Sequence, residues 1–62
     1  MKTLTKRELE VLSLAHQGFN TNETAEKLCV TKRTVEAHRA SILAKLQQRS
    51  IIHAAYRFFK FI

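Results

Sequence analysis

Apolar residues along this chain recur at three- and four-residue intervals, and nowhere do they alternate as a half-buried strand requires. Leu9, Leu12 and Ala15, with Val11, form the first inward stripe. Thr5 stands before it with Glu8 three positions on, which is a capping box, and Leu4 is placed to close on Leu9 as a hydrophobic staple. Gly18 supplies the positive φ that ends this helix, predicted over residues 5–17. Asn20 and Glu23 repeat the capping box, so a short second helix over 21–28 turns Ala25 and Leu28 inward. Cys29, Val30 and Thr31 make a tight turn, Thr31 caps a third helix over 32–47, and Val30 can staple onto Val35. At about 100° per residue, Val35, His38, Ile42 and Leu46 share one face of that helix. Arg33, Glu36, Ala37, Ala40 and Ala44 share the opposite one. Ser50 caps a fourth helix over 51–61. With no proline, one glycine and no linker, repeat or low-complexity stretch, the pattern predicts an all-α, four-helix bundle forming one domain over 1–62.

The middle of the chain carries the geometry of a helix-turn-helix: a short helix, a turn of a few residues and a longer helix with a polar outer face. Ala25 is small enough for the two helices to approach closely. Ala37, Ala40 and Ala44 keep the outer face of the third helix slim enough to enter a DNA major groove, which is about 12 Å wide. Charge points the same way. Eleven Lys or Arg against five acids give a net charge of +6. From Lys27 onward there are eight basic residues (Lys27, Lys32, Arg33, Arg39, Lys45, Arg49, Arg57, Lys60) and Glu36 alone. That imbalance favours a polyanionic partner, nucleic acid or an anionic membrane surface, over simple solubility.

Other chemistries find no support. The single Cys29 makes no intramolecular disulfide, which fits a reducing cytosol, and no Cys/His spacing suggests zinc. Met1 is followed by a mixed polar and apolar helix instead of a signal sequence, and no apolar run is long enough to span a bilayer. No serine or cysteine has a general-base partner, and no glycine-rich phosphate loop exists, so neither catalysis nor a cofactor or small-molecule ligand is expected. His38 reads as a partly buried structural imidazole, since neither His16 nor His53 converges on it.

The stretch from Leu4 to Leu46 resembles the LuxR-type, GerE-like helix-turn-helix domain. The family's L-T-x-R-E-x-E-V-L opening is matched at Leu4, Thr5, Arg7, Glu8, Glu10, Val11 and Leu12. Its G-x-x-x-x-E-x-A is matched at Gly18, Glu23 and Ala25, and T-V-x-x-H at Thr34, Val35 and His38, with Ile42, Lys45 and Leu46 closing the match. The string "RTVEAHRA" and the later "SIIH" look most like the FixJ branch of response regulators. Departures are few. Thr24 stands where the family usually has Ile, which should weaken the packing of the second helix; Gln47 and Gln48 replace a common Gly-Val, and Ile51 a frequent Arg. Members usually carry an N-terminal receiver or ligand-binding domain. Both a free-standing domain of the GerE kind and a piece excised from a longer protein fit this chain.

The resemblance implies a transcription regulator of bacterial, plasmid or phage setting, without a wing, acting in the cytoplasm at the nucleoid. The third helix would be the recognition helix, with Arg33, Glu36, Ala37 and Ala40 facing bases. Phosphate contacts would come from Thr21, Asn22, Thr31, Lys32, Thr34, Arg39 and Lys45. Glu36 has a plainer reading, an intrahelical ion pair with Lys32 or Arg39. On the fourth helix, Arg49, His53, Arg57 and Lys60 form one narrow stripe amid apolar residues, more than a small core needs. The resemblance implies that Ile52, Ala55, Tyr56, Phe58, Phe59, Phe61 and Ile62 pair with a second copy on an inverted DNA repeat. The alternative partner is a full-length LuxR-type protein, which this chain would inhibit by heterodimerising. Membrane binding by the same basic, aromatic helix is the weaker reading.

Overall fold

The computed structural model describes residues 4–59. Four helices follow one another: α1 (Lys6–His16), α2 (Thr21–Leu28), α3 (Lys32–Leu46) and α4 (Ile51–Phe59), the last ending where the described residues end. The description contains no strand, and no helix in it is long and apolar enough to cross a membrane. The all-α prediction holds; α1, α2 and α3 lie within a residue of the expected bounds, and the expected end of α4 at 61 lies outside the described residues.

Local chemistry explains where each helix starts. The Thr5 hydroxyl accepts from the Glu8 amide at 3.1 Å, and the Glu8 carboxylate accepts from the Thr5 amide at 2.8 Å. Asn20 and Glu23 exchange the same two bonds at 2.8 and 2.9 Å. Thr31 Oγ1 accepts from the Thr34 amide, and Ser50 Oγ from the Ile52 amide, each at 3.2 Å. Each cap satisfies backbone donors that a helix start leaves without a partner.

Three helix ends share a second device. The amide two residues past the last turn reaches back five residues: Phe19 to the Leu14 carbonyl, Val30 to Ala25 and Gln48 to Leu43, at 3.0 to 3.1 Å. This Schellman closure needs a left-handed residue in between. Gly18 fills that position at φ 99°, but Cys29 (57°) and Gln47 (54°) fill it with side chains that crowd their own backbone.

The core joins all four helices. Leu4, Val11, Leu12, Ala25, Val35, Ile42, Ala54 and Ala55 are buried together, with Leu28, Val30, Leu43, Leu46, Ile51 and Phe59 packed around them. His16 and Phe59 stack with ring centroids 4.9 Å apart, tying the end of α1 to α4.

Two packing expectations change, and a third takes a concrete form. Leu9 does not join the inward stripe but stays 38 % exposed, and Leu4 enters the core without it. Position 8 is inward instead, in register with Val11, Leu12 and Ala15, and Glu8 is 4 % exposed there with its carboxylate bonded to Ser41 and Lys45 on α3. Thr24 is fully buried on α2, and its hydroxyl has no partner among the described residues. The weakness expected at Thr24 thus has a concrete form, since an unsatisfied buried hydroxyl costs about 1–3 kcal/mol. Ala55, expected on the dimer surface, lies in the core at 1 % exposed and offers nothing to a partner. Small side chains at Ala54 and Ala55 are what let α4 approach α1 closely. Phe61 and Ile62 lie outside the described residues.

Candidate nucleic-acid interface

α3 presents two unlike faces because its apolar residues fall on one side. Val35 and Ile42 are buried, His38, Leu43 and Leu46 are half-buried, and Arg33, Glu36, Ala37, Ala40 and Ala44 are exposed. The candidate base-facing residues therefore lie together on one side, where three alanines leave the backbone within reach of anything that docks there. Lys32 and Arg33 occupy the first turn, and no acid is present in it. Cations at the positive end of a helix oppose its dipole by about 0.3–1 kcal/mol each. Neither has an ion-pair partner among the described residues. Stability alone would place acids there, as Glu8 and Glu23 are placed on α1 and α2.

Glu36 is exposed and makes no ion pair in the described residues, where the two pairs are Arg7–Glu10 at 3.7 Å and Lys45–Glu8 at 2.7 Å. The plain intrahelical pairing with Lys32 or Arg39 is not formed. Arg39 is engaged elsewhere, and that engagement builds the joint between the two helices. Its Nη1 donates to Thr21 Oγ1 at 2.9 Å and its Nη2 to the Phe19 carbonyl at 3.3 Å. Its Nε is buried without a partner, and burial pulls the guanidinium below its usual pKa, though it stays charged at neutral pH. A half-buried cation with no carboxylate beside it thus stands against the start of α2, whose free amides are also positive. Thr21 is half-buried under this contact and Asn22 is exposed next to it. On α2, the Lys27 ammonium lies 4.7 Å from the centroid of the Phe19 ring, steadying the loop that Arg39 grips.

The remaining candidates divide. Thr31 and Thr34 share a hydroxyl–hydroxyl bond of 2.9 Å at the start of α3, close to Lys32. Lys45, expected to meet phosphate, instead donates to Glu8 Oε1 at 2.7 Å. Ser41 donates to Glu8 Oε2 at 2.6 Å. The Lys45 and Ser41 bonds, with the Thr5 amide, hold the Glu8 carboxyl down at about 2, well below its ordinary value. Sequence reasoning missed this bridge. The capping box already accounted for Glu8, and nothing local shows that its remaining lone pairs reach a helix more than thirty residues away.

The slim cationic face, joined to a second helix start by Arg39, has the form of a helix-turn-helix built for an anionic groove. The family model for bacterial regulatory proteins of the luxR family matches residues 2–58. The chain belongs to that family. The oxygen regulatory protein NreC of Staphylococcus aureus strains JH9 and JH1 is 51 % identical to it over 49 residues, which is 79 % of this chain and 23 % of that protein. The same protein from strain NCTC 8325 / PS 47 matches equally. The chain thus spans about a quarter of the length of these relatives. Membership in the LuxR family makes it a DNA-binding helix-turn-helix of transcription regulation, as the resemblance implied. No three His, Cys, Asp or Glu side chains among the described residues cluster to hold a metal ion.

Proposed function

We propose that these 62 residues act as one domain that binds double-stranded DNA sequence-specifically, with α3 inserted in the major groove. The observation that carries this reading is the exposed alanine face of α3 beside two unpaired cations at the helix start. Phosphates supply the counter-charge that Lys32, Arg33 and Arg39 lack among the described residues, and they accept from the amides that open α2 and α3. Thr21, Asn22, Thr31 and Thr34 add short polar donors along the same line. Lys45 drops out of the phosphate set because its ammonium serves Glu8. Arg33, Glu36, Ala37 and Ala40 face the bases.

Two copies on an inverted repeat, acting at the nucleoid, complete the proposal. Its support is the outer flank of α4, where Ile52 is 59 % and Tyr56 65 % exposed, one helical turn apart; Phe58 is exposed on another side of the helix, and Phe59, expected at the same surface, packs on the core against His16. Such residues on so small a chain fit a partner surface better than solvent. Arg49, His53 and Arg57 run beside this flank.

An electrophoretic shift against a pool of random duplexes tests the proposal. Recovery of a palindromic site is expected. Failure to enrich any site, together with capture of a full-length LuxR-type protein, would favour a chain that heterodimerises through α4 and inhibits its relative.

A further inference from the structure

Between α1 and α2, on residues that neither the DNA face nor the α4 flank uses, lies an open groove of about 410 Å³. Leu9, Leu14 and Leu28 form its apolar walls, and Lys6, Lys27 and Glu10 stand along its rim. Leu9 is the informative residue. It lies about 60° round α1 from Leu12, off the stripe of Glu8, Val11, Leu12 and Ala15 that the core buries, and it stays 38 % exposed. The groove is therefore faced by a large apolar side chain that the core does not use.

We propose that this groove docks an acidic, amphipathic segment of a partner protein, inserting a bulky apolar side chain between Leu9, Leu14 and Leu28. Charge selects the occupant. Glu10 is paired with Arg7 at 3.7 Å, whereas Lys6 and Lys27 make no ion pair among the described residues, so the rim is net positive. DNA is a poor fit, because the walls offer phosphates nothing to bond. A second copy is a poor fit too, since it carries a net charge of +6 and, of its five acids, Glu8 is already bonded to Lys45 and Glu10 paired with Arg7. An apolar knob flanked by Asp or Glu satisfies both the walls and the rim, the usual division of labour when a helix lies in a groove. The groove shares no residue with the other two proposed surfaces.

The test uses the 62-residue chain, labelled with nitrogen-15, and two synthetic amphipathic peptides with the same Leu and Phe positions. One carries Asp and Glu at its polar positions, the other Lys. The expected result is saturable shifts of the Leu9, Leu14 and Leu28 amides with the acidic peptide alone. Leu9→Asp should weaken that binding by about tenfold or more. Leu9 is exposed enough for this variant to keep its helical circular dichroism; should it unfold, Lys27→Glu on the rim should still weaken binding several-fold. Shifts with neither peptide, or equal shifts with both, would overturn the proposal. So would shifts confined to Arg49, His53 and Arg57. Groove shifts produced by duplex DNA, or by raising the concentration of the protein alone, would assign the groove to those occupants instead.

Discussion

Gln47 ends α3 at φ 54°, a conformation that glycine adopts freely and a side chain resists. Cys29 does the same at φ 57° after α2. Replacing Gln47 with Gly should therefore raise the stability of the domain by about 0.5–1 kcal/mol, read from chemical denaturation. The gain is smaller than the full left-handed penalty because glycine also makes the unfolded chain more flexible. An unchanged or lowered midpoint would mean that the Gln47 side chain compensates its own strain. Gly18 could be read from the sequence because its residue type announces the positive φ; Cys29 and Gln47 carry no such signal in their own residue type, although the resembled family's common Gly at the position of Gln47 pointed to it. Glu36 is the other residue whose role rests on a contrast. It stands exposed on the alanine face without an ion pair, and Arg39 is bonded to α2, so neither neighbour accounts for it. Major-groove hydrogen-bond donors are the amino groups of cytosine and adenine. Glu36→Ala should then relax preference at one base pair per half-site by about 1–3 kcal/mol, while affinity for random DNA stays level or rises. Selected sites identical to those of the parent at every position would deny Glu36 any part in reading bases.

At the scale of elements, helix starts were legible because each cap lies within three or four residues of its partner. Packing between elements was less so. The inward stripe of α1 was read from hydropathy alone, which selects Leu9; the structure selects Glu8, because Ser41 and Lys45 on α3 supply bonds that hydropathy does not count. That bridge makes acid the natural probe. The Glu8 carboxyl is held down at about 2 in the fold, against an ordinary 4.5, so as pH falls the unfolded chain takes up the proton first. Its stabilising contribution is whole above pH 4.5 and is lost as pH falls towards 2. Thermal midpoints should fall across this window in the parent and much less in Glu8→Gln, which should already be less stable at neutral pH. Parallel curves would show that other carboxylates govern acid unfolding. The joint of α2 and α3 gives a second probe. If Lys32 and Arg39 meet phosphates, the logarithm of affinity should fall linearly with the logarithm of salt. Replacing either by Ala should flatten that line by about 0.9 per lost contact and weaken all sequences alike. A slope that neither change alters would remove both from the phosphate set.

For the whole molecule, four short helices of a 62-residue chain enclose one core and leave three separate surfaces. The cationic α3 face was legible in the sequence, since helical periodicity and alanine spacing define it. The exposed α4 flank was only partly so: Ile52 and Tyr56 stay outside, while Ala55 is drawn into the core by the approach of α1. The α1–α2 groove was not legible, because it depends on how α1 and α2 sit against each other, which no local pattern states. The central claim is that α3 reads DNA through the major groove, once in each of two symmetric half-sites. Methylation interference on a selected duplex tests it most directly, since methylation strikes guanine N7 in the major groove and adenine N3 in the minor groove. The account predicts interference from guanine N7 in two clusters related by the dyad and spaced about 10 base pairs, or a multiple of that, centre to centre. Interference confined to adenine N3, or to a single cluster, would contradict it.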